Sequence, residues 1–154
     1  MMLLTKIFHF DMAHVLKDYD GPCRNIHGHS YELRVTVKGE PINNPQSPKN
    51  GMVMDLHDLK CLVNEQIVNR LDHAFVLSSA MPTDFLEIVQ RDFEKVVVVD
   101  YQPTSENLIL DMVHRLQKVL PQQVTLHMGT SYRNTCTRCS TRSSKQGRTL
   151  HHQQ

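Results

Sequence analysis

The chain has 154 residues, of which 40% are hydrophobic and 21% are charged. This length allows one domain with a hydrophobic core. No apolar run approaches the roughly 18 residues that a membrane-spanning helix needs, and the N-terminus has no pattern of an export signal. The four cysteines are sparse and irregularly spaced, unlike a disulfide framework. We therefore expect a protein of the reducing cytoplasm with no membrane partner.

Four segments have the alternation or the β-branched composition of strands. In residues 29–38, Tyr31, Leu33, Val35 and Val37 face one side and polar residues face the other. The predicted strands are residues 3–12, 29–38, 95–100 and 123–128. Antiparallel-type strands interrupted by helices predict an α+β domain.

Two segments have helical periodicity. Asp55 is a suitable N-cap for a helix over residues 55–71, and Thr104 or Ser105 is suitable for a helix over residues 106–120. Pro121 ends the second helix. These helices belong to a predicted domain that spans residues 1–129.

Residues 130–154 form a basic segment. Residues 1–111 carry 10 Lys and Arg against 16 Asp and Glu, a net charge of −6, whereas residues 112–154 carry 7 basic residues and no acid. The segment is nearly devoid of aliphatic residues, which predicts a disordered tail. Residues 133–154 contain no Phe, Trp or Tyr, so the basic charge alone does not predict a nucleic-acid partner. Its single CxxC, Cys136 and Cys139, would be a redox pair or half of a zinc site, and the sequence favours neither.

Three histidines suggest a metal site. His27 and His29 are two residues apart on an extended segment, so their side chains leave the same face of the strand. His14 shares the parity of Phe10 and Met12 in the first strand. Three imidazoles that point into one pocket would suit zinc, with an open fourth position for chemistry. The alternative is that they are ordinary, partly buried histidines.

Five motifs occur in an order that is similar to a known family, and they cover residues 1 to about 120. They are FDMAH (10–14), CRNIHGHSY (23–31), GMVMDLHDLK (51–60), LDHAFVL (71–77) and PTSENL (103–108). Together they resemble the 6-pyruvoyltetrahydropterin synthase family. The resemblance implies a T-fold, a four-stranded antiparallel sheet with two helices on one side. It also implies trimers and hexamers whose active sites form between subunits.

The resemblance also implies site residues. The histidines that match His14, His27 and His29 bind a zinc ion in the family. The cysteine that matches Cys23 is the general base, and the pair that matches Asp72 and His73 assists proton transfer.

Glu106, in the PTSEN motif, is a candidate for the pterin site. Each of these roles outside the metal site has a plainer alternative. Cys23 would be a small buried hydrophobe, Asp72 and His73 a helix C-terminal cap, and Glu106 a carboxylate that the helix dipole stabilises.

The cysteine spacing separates branches of the family. The spacing of Cys23 and His27 is C-x3-HGH, which resembles the bacterial branch that makes 6-carboxytetrahydropterin in queuosine and 7-deazapurine biosynthesis. The animal pyruvoyl branch has C-x5-HGH. The resemblance implies 7,8-dihydroneopterin triphosphate as substrate, with 6-carboxytetrahydropterin, acetaldehyde and triphosphate as products. A pyruvoyl-type reaction remains the alternative, because both start from the same substrate.

The end of the chain departs from the family pattern. Family members carry a glutamate in a pattern like ETxTSYAE, which anchors the pterin ring, and its position here falls on His127 or Gly129. No Asp or Glu follows Asp111. One hypothesis is a variant that binds zinc without catalysis, as a structural or interaction module. The other is a reading frame that is shifted after Met128.

Overall fold

A computed structural model of the chain describes residues 1–132, 138–142 and 149–153, with side chains described through Met128. The strands are β1 (Met2–His14), β2 (His27–Gly39), β3 (Ala74–Ser78), β4 (Val96–Val99), β5 (Thr125–Tyr132), β6 (Arg138–Arg142) and β7 (Thr149–Gln153). The helices are α1 (Leu56–Val63), α2 (Asn69–Leu71), α3 (Thr83–Asp92) and α4 (Ser105–Val119), with a 3₁₀ turn at Pro22–Arg24 and a π-helical turn at Asn64–Val68. None of the helices in these ranges is long and apolar enough to cross a membrane.

The described strands form one sheet in the order β4-β3-β1-β2-β5-β6-β7. β1 and β2 pair antiparallel over their whole length, from Met2 opposite Gly39 to His14 opposite His27. β5 pairs antiparallel with β2, whereas β3 runs parallel to β1 and β4 parallel to β3. The α+β class is confirmed, and the described sheet has seven strands where four antiparallel ones were expected. Parallel strands extend one edge of it.

One face of the sheet carries the main core. The helical segment from α1 to α2 and the helix α4 bury their apolar faces there. The strand side chains of this core come from alternate positions, as period-two alternation requires. They are Phe8, Phe10 and Met12 of β1, Tyr31, Leu33, Val35 and Val37 of β2, and Leu126 and Met128 of β5.

The helix α3 lies on the opposite face of β3 and β4. Ala74 and Val76 of β3 join the main core, whereas Phe75 and Leu77 pack in a second cluster with Val89 of α3. The expected pair of helices on one side is therefore supplemented by a third helix on the other side. The sequence does not predict β3 because a five-residue strand covered on both faces has no alternation.

The two predicted helices are confirmed with small differences. Asp55 caps α1, since its Oδ1 accepts a hydrogen bond from the His57 N–H at 2.7 Å. The π-helical turn interrupts the helix predicted for residues 55–71, so that it reaches Leu71 in three segments. Thr104, not Ser105, caps α4: its Oγ1 accepts from the Asn107 N–H at 3.3 Å.

The predicted boundary at residue 129 falls inside β5. Two more strands, β6 and β7, lie within the segment predicted to be a disordered tail, and β6 pairs antiparallel with β5. Backbone hydrogen bonds at a sheet edge need no aliphatic side chains, which is why composition does not indicate these strands. The rest of the predicted tail, including Cys136 of the CxxC motif, lies outside the described residues.

Candidate active site

The pairing of β1 and β2 brings the three predicted histidines together. His14 lies opposite His27 and Met12 lies opposite His29. One ligand atom from each of the three imidazoles can be chosen so that all lie within 4.8 Å of one another. The strands approach closely at Gly28, where a Cβ would lie 3.3 Å from the Met12 carbonyl oxygen. Glycine at this position therefore leaves the pairing undisturbed between the two histidines of β2.

Two backbone carbonyls determine which nitrogen of each ring carries hydrogen. His14 Nδ1 lies 2.7 Å from the Pro103 carbonyl oxygen, and His27 Nδ1 lies 2.8 Å from that of Asn25. Because a carbonyl oxygen only accepts hydrogen bonds, both Nδ1 atoms are the donors. Each neutral ring then presents the lone pair of its Nε2 atom.

The two Nε2 atoms face each other at 3.0 Å. Two lone pairs at this distance repel unless a proton or a cation lies between the rings. Burial, helped by His27 and His29 and opposed by the Pro103 carbonyl, lowers the pKa of His14 to about 4. Burial and His27 also lower the pKa of His29. The rings of His14 and His29 are therefore neutral near pH 7, which is the form that binds metal.

The donor set fits zinc. Three imidazole nitrogens with room for a further ligand match the donor set of catalytic zinc sites. The hydrogen bonds from Nδ1 to carbonyl oxygens are the outer contacts that orient metal-binding histidines in proteins. Hard cations such as Mg²⁺ prefer oxygen ligands, which this cluster lacks.

Cys23 lies in the connection between β1 and β2. It belongs to the 3₁₀ turn Pro22–Arg24 and is half-buried. Its carbonyl oxygen accepts a hydrogen bond from the Leu16 N–H at 3.0 Å. Among the described side chains, the group that can hold a metal consists of the three histidines and does not include the Cys23 thiol. The role of Cys23 as general base therefore stays a prediction.

Asp72 and His73 form a pair that is fastened to β1. Asp72 Oδ1 accepts a hydrogen bond from the Asp11 N–H at 3.0 Å, and the His73 N–H donates to the Asp11 carbonyl oxygen at 2.6 Å. Asp72 Oδ2 lies 3.1 Å from His73 Nδ1. The Asp11 N–H first, then His73 and Lys95, lower the pKa of Asp72. The carboxylate is therefore charged at neutral pH and orients the imidazole.

His73 has an unusual backbone conformation. Its φ is +59°, and it follows Asp72, the C-cap of a helix that ends at Leu71. This is the left-handed position that usually follows a helix C-cap and that glycine adopts most easily. The side chain of His73 is 79% exposed. The position after the helix C-cap explains the positive φ of His73. It does not explain why the residue there is an exposed imidazole paired with the Asp72 carboxylate.

A cavity of about 1270 Å³ lies at the same end of the sheet. His29 and His73 line it, and α3 contributes an apolar wall through Phe85 and Ile88. Cys23, His14 and His27 are not among the lining residues. The β1 and β2 residues that line it belong mainly to the sheet face opposite α1 and α4: Asp11, Ala13, Gly28 and Ser30. The cavity therefore borders the histidine cluster from the other side of the sheet.

Glu106 lies in the first turn of α4. The helix begins two residues after Pro103, whose carbonyl oxygen holds His14. Glu106 therefore lies three residues after the residue whose carbonyl oxygen contacts His14. A contact between Glu106 and a pterin stays a prediction.

The expected anchor position on β5 is remote from the histidines of the same chain. Gly129 lies opposite Arg34 and His127 lies opposite Thr36. Arg34 is five residues beyond His29 on β2, which corresponds to about 17 Å along a strand. A bicyclic pterin is shorter than this distance, so one chain does not bring both groups to one ligand.

Sequence reasoning missed the groups that orient the histidines. The carbonyl oxygens of Pro103 and Asn25 hold His14 and His27. Gln102 makes side-chain hydrogen bonds to the backbone of Lys17, close to the end of β1. Backbone carbonyls have no sequence signature, so only the PTSEN motif, which begins at Pro103, could have drawn attention to this loop.

Comparisons with known proteins identify the family of the chain. Residues 3–144 match the family described as 6-pyruvoyl tetrahydropterin synthase. The chain is 34% identical over 119 residues to the 6-carboxy-5,6,7,8-tetrahydropterin synthase of Haemophilus influenzae, which covers 76% of this chain and 83% of the relative. It is 36% identical over 103 residues to the human 6-pyruvoyl tetrahydrobiopterin synthase, or 66% of this chain and 57% of the human protein.

Solved structures show the same fold. An uncharacterized protein from Wolinella succinogenes superposes with a TM-score of 0.70 at 18% identity, over 93% of this chain and 98% of that one. The Caenorhabditis elegans 6-pyruvoyl tetrahydropterin synthase superposes with a TM-score of 0.63 at 22% identity, over 93% and 96%. With the family match over most of its length, the chain belongs to the 6-pyruvoyl tetrahydropterin synthase family.

Proposed function

We propose that the protein is a zinc-dependent lyase of the reducing cytoplasm. It converts 7,8-dihydroneopterin triphosphate into 6-carboxy-5,6,7,8-tetrahydropterin, with release of acetaldehyde and triphosphate, in queuosine and 7-deazapurine biosynthesis. The observation that carries the proposal is the pair of Nε2 lone pairs of His14 and His27, 3.0 Å apart and oriented by carbonyl oxygens. The identity to the Haemophilus influenzae enzyme over most of both chains supports the choice of product.

The chain's own residues supply the proton transfers. His14, His27 and His29 would hold zinc, which acts when bound as a Lewis acid that makes protons beside the substrate's side-chain oxygens more acidic. Cys23 accepts one such proton at its sulfur as general base. His73 moves the second proton through Nε2, since its Nδ1–H donates to the Asp72 carboxylate. That carboxylate stabilises the imidazolium that forms when His73 is protonated.

We further propose that the active protein is a homo-oligomer, a trimer or hexamer. The separation of about 17 Å along β2 between His29 and the position opposite Gly129 supports this, because residues of two chains could then meet at one substrate. The sheet face opposite α1 and α4 also exposes apolar side chains of β1. Such a face is more stable when it is covered.

Two alternatives have observations in their favour. The similarity to the human enzyme supports a pyruvoyl-type lyase that acts on the same substrate. The lack of any acidic residue after Asp111 supports a zinc-binding protein without catalysis, since a carboxylate is the group that accepts two N–H donors from a pterin edge.

The test is one incubation of zinc-loaded protein with 7,8-dihydroneopterin triphosphate, in which pterin products and acetaldehyde are measured together. Acetaldehyde with a carboxypterin supports the proposal, and a pyruvoyl product without acetaldehyde supports the first alternative. Bound zinc without turnover supports the second. A Cys23→Ala variant serves as the control for turnover, because it removes the proposed base and leaves the histidines in place.

A further inference from the structure

The loop before α4 is fastened to the end of β1 by one side chain. Gln102 Oε1 accepts a hydrogen bond from the Lys17 N–H at 3.2 Å. Gln102 Nε2 donates to the Lys17 carbonyl oxygen at 2.7 Å. The amide therefore satisfies both backbone groups of a residue 85 positions away, as a neighbouring strand would.

The backbone of Gln102 is itself held by α4. Its carbonyl oxygen accepts from the Thr104 N–H at 2.8 Å and from Asn107 Nδ2 at 3.0 Å. Thr104 is the N-cap of α4, and Asn107 lies in its first turn. Gln102 therefore joins the start of a packed helix to the segment that follows β1.

Each end of this connection leads to a residue of the site. Pro103, the next residue after Gln102, is buried and provides the carbonyl oxygen that orients His14. On the other side, the residue before Lys17 is Leu16, whose N–H donates to the Cys23 carbonyl oxygen. Gln102 is thus connected to the His14 ring through one residue, Pro103. It is connected to the turn that carries Cys23 through two residues, Lys17 and Leu16.

We propose that Gln102 is a positioning residue that holds the His14 imidazole and the Cys23 turn in one arrangement. It acts through Pro103 on the ring and through Lys17 and Leu16 on the turn. A group that hydrogen-bonds directly to a metal-binding histidine changes metal affinity by about 10- to 100-fold when it is removed, and Gln102 acts one residue further out, through the Pro103 carbonyl oxygen. The inference rests on the metal site and the base of the proposed function, but its tests need no turnover.

The first experiment measures zinc affinity by competition with a chromophoric chelator. Gln102→Ala removes both hydrogen bonds to Lys17, and we expect zinc to bind about 3- to 10-fold more weakly, which is below most of the range for a group bonded directly to a ligand. Gln102→Glu keeps the size and the acceptor for the Lys17 N–H, but it sets a carboxylate against the Lys17 carbonyl oxygen. It should weaken zinc binding at least as much as the alanine variant, about 3- to 10-fold, and it remains informative if the alanine variant does not fold.

The control is Asn50→Ala. Asn50 Oδ1 accepts a hydrogen bond from the Asn44 N–H at 2.8 Å. This is a bond from a side-chain amide to the backbone, like those of Gln102, but it lies in the loop between β2 and α1. This variant should keep the zinc affinity within about twofold of wild type. Thermal unfolding of the metal-free proteins shows whether the variants lose stability in general.

The second experiment follows alkylation of Cys23 by iodoacetamide in the zinc-free protein. Trypsin cleaves after Lys17 and Arg24, so the peptide 18–24 reports on Cys23 separately from the other cysteines. We expect the thiol to react several-fold faster in both Gln102 variants, because the turn is held less firmly. Asn50→Ala should react at the wild-type rate.

The proposal is overturned if both Gln102 variants bind zinc within twofold of wild type, or if Asn50→Ala weakens binding as much as they do. Unchanged alkylation in both variants overturns the connection to Cys23. Failure of the proposed function looks different, since wild-type protein would then bind no zinc, or would bind it without turnover.

Discussion

At the scale of single residues, the site depends on protonation states that the fold imposes. His14 is held neutral by burial, and its Nδ1–H is occupied by the Pro103 carbonyl oxygen. Asp72 is held charged by the Asp11 N–H and by His73 and Lys95. A neutral imidazole can bind a metal and a charged carboxylate can orient a proton-transfer histidine, so both residues are in the form that the proposed function needs.

Acid should destabilise the metal-free protein through His14. Its pKa is about 4 in the folded chain, against 6.5 for an ordinary histidine. Between these values the unfolded chain binds a proton that the folded chain does not, so the free energy of unfolding rises with pH and levels off above 6.5. Acidification from pH 7 to pH 4 should remove about 3 kcal/mol through this group. Urea titrations at several pH values measure it.

The control for this prediction is His14→Asn, which should have a shallower dependence of unfolding free energy on pH over the same range. His29 shifts in the same direction, so some dependence should remain. Parallel curves for wild type and variant would contradict the prediction, whatever the absolute stability of the variant.

Asp72→Asn should slow turnover and leave zinc binding intact. Asparagine still accepts the Asp11 N–H but has no charge to stabilise a protonated His73. If His73 transfers a proton, kcat should fall by roughly 100- to 10,000-fold. The matched control is Asp92→Asn, which removes an exposed carboxylate paired with Arg91 and should change kcat little. Equal rates for the two variants would exclude the proton-transfer role.

At the scale of elements, α4 connects the core to the site. Its buried face includes Leu108, Ile109 and Leu116, which pack against the sheet. Its N-terminus is fixed by the Thr104 cap, directly after the carbonyl that holds His14. Packing of the helix therefore determines where that carbonyl lies, although the buried residues themselves are far from the histidines along the chain.

Leu116→Ala should lower the free energy of unfolding by about 2–5 kcal/mol, because it leaves a cavity in a fully buried position. Val119→Ala near the end of the same helix is the control, since Val119 is 38% exposed, and it should cost less than about 1 kcal/mol. Chemical denaturation of both variants measures the difference. Similar losses would show that α4 does not pack as the structure describes.

At the scale of the whole molecule, one sheet face is covered by helices and the other is open over β1 and β2. Leu3 and Ile7 are exposed on this open face at 64% and 45%. The cavity at the end of the sheet opens on the same side and carries its apolar wall on α3. Both features are expected of a chain whose active form is an assembly.

Ile7→Glu should disrupt that assembly. A charge on the open face should reduce the mass measured by light scattering, and it should abolish turnover while zinc remains bound, since the histidines lie on the other face. Leu56→Glu is the matched control, because Leu56 is 42% exposed at the start of α1. A monomeric wild type, or an assembled Ile7→Glu, would contradict the oligomer proposal.

Much of the fold was predictable because local patterns agree with it. The alternation of β2, the cap of α1 and the composition of β4 predict elements that the structure contains. The helix α3 and the strand β3 were not predictable from pattern. The parallel pairing of β3 with β1 depends on contacts about 60 residues apart, and such contacts leave no local period.

The sequence by itself determined that three histidines share one strand parity and that a cysteine and an Asp-His pair accompany them. It also determined that no Asp or Glu follows Asp111. Only the tertiary structure decided which ring nitrogens face each other, because the carbonyl oxygens of Pro103 and Asn25 make that choice. It also decided that the expected anchor on β5 lies far from the three histidines of its own chain, because strand register sets that distance.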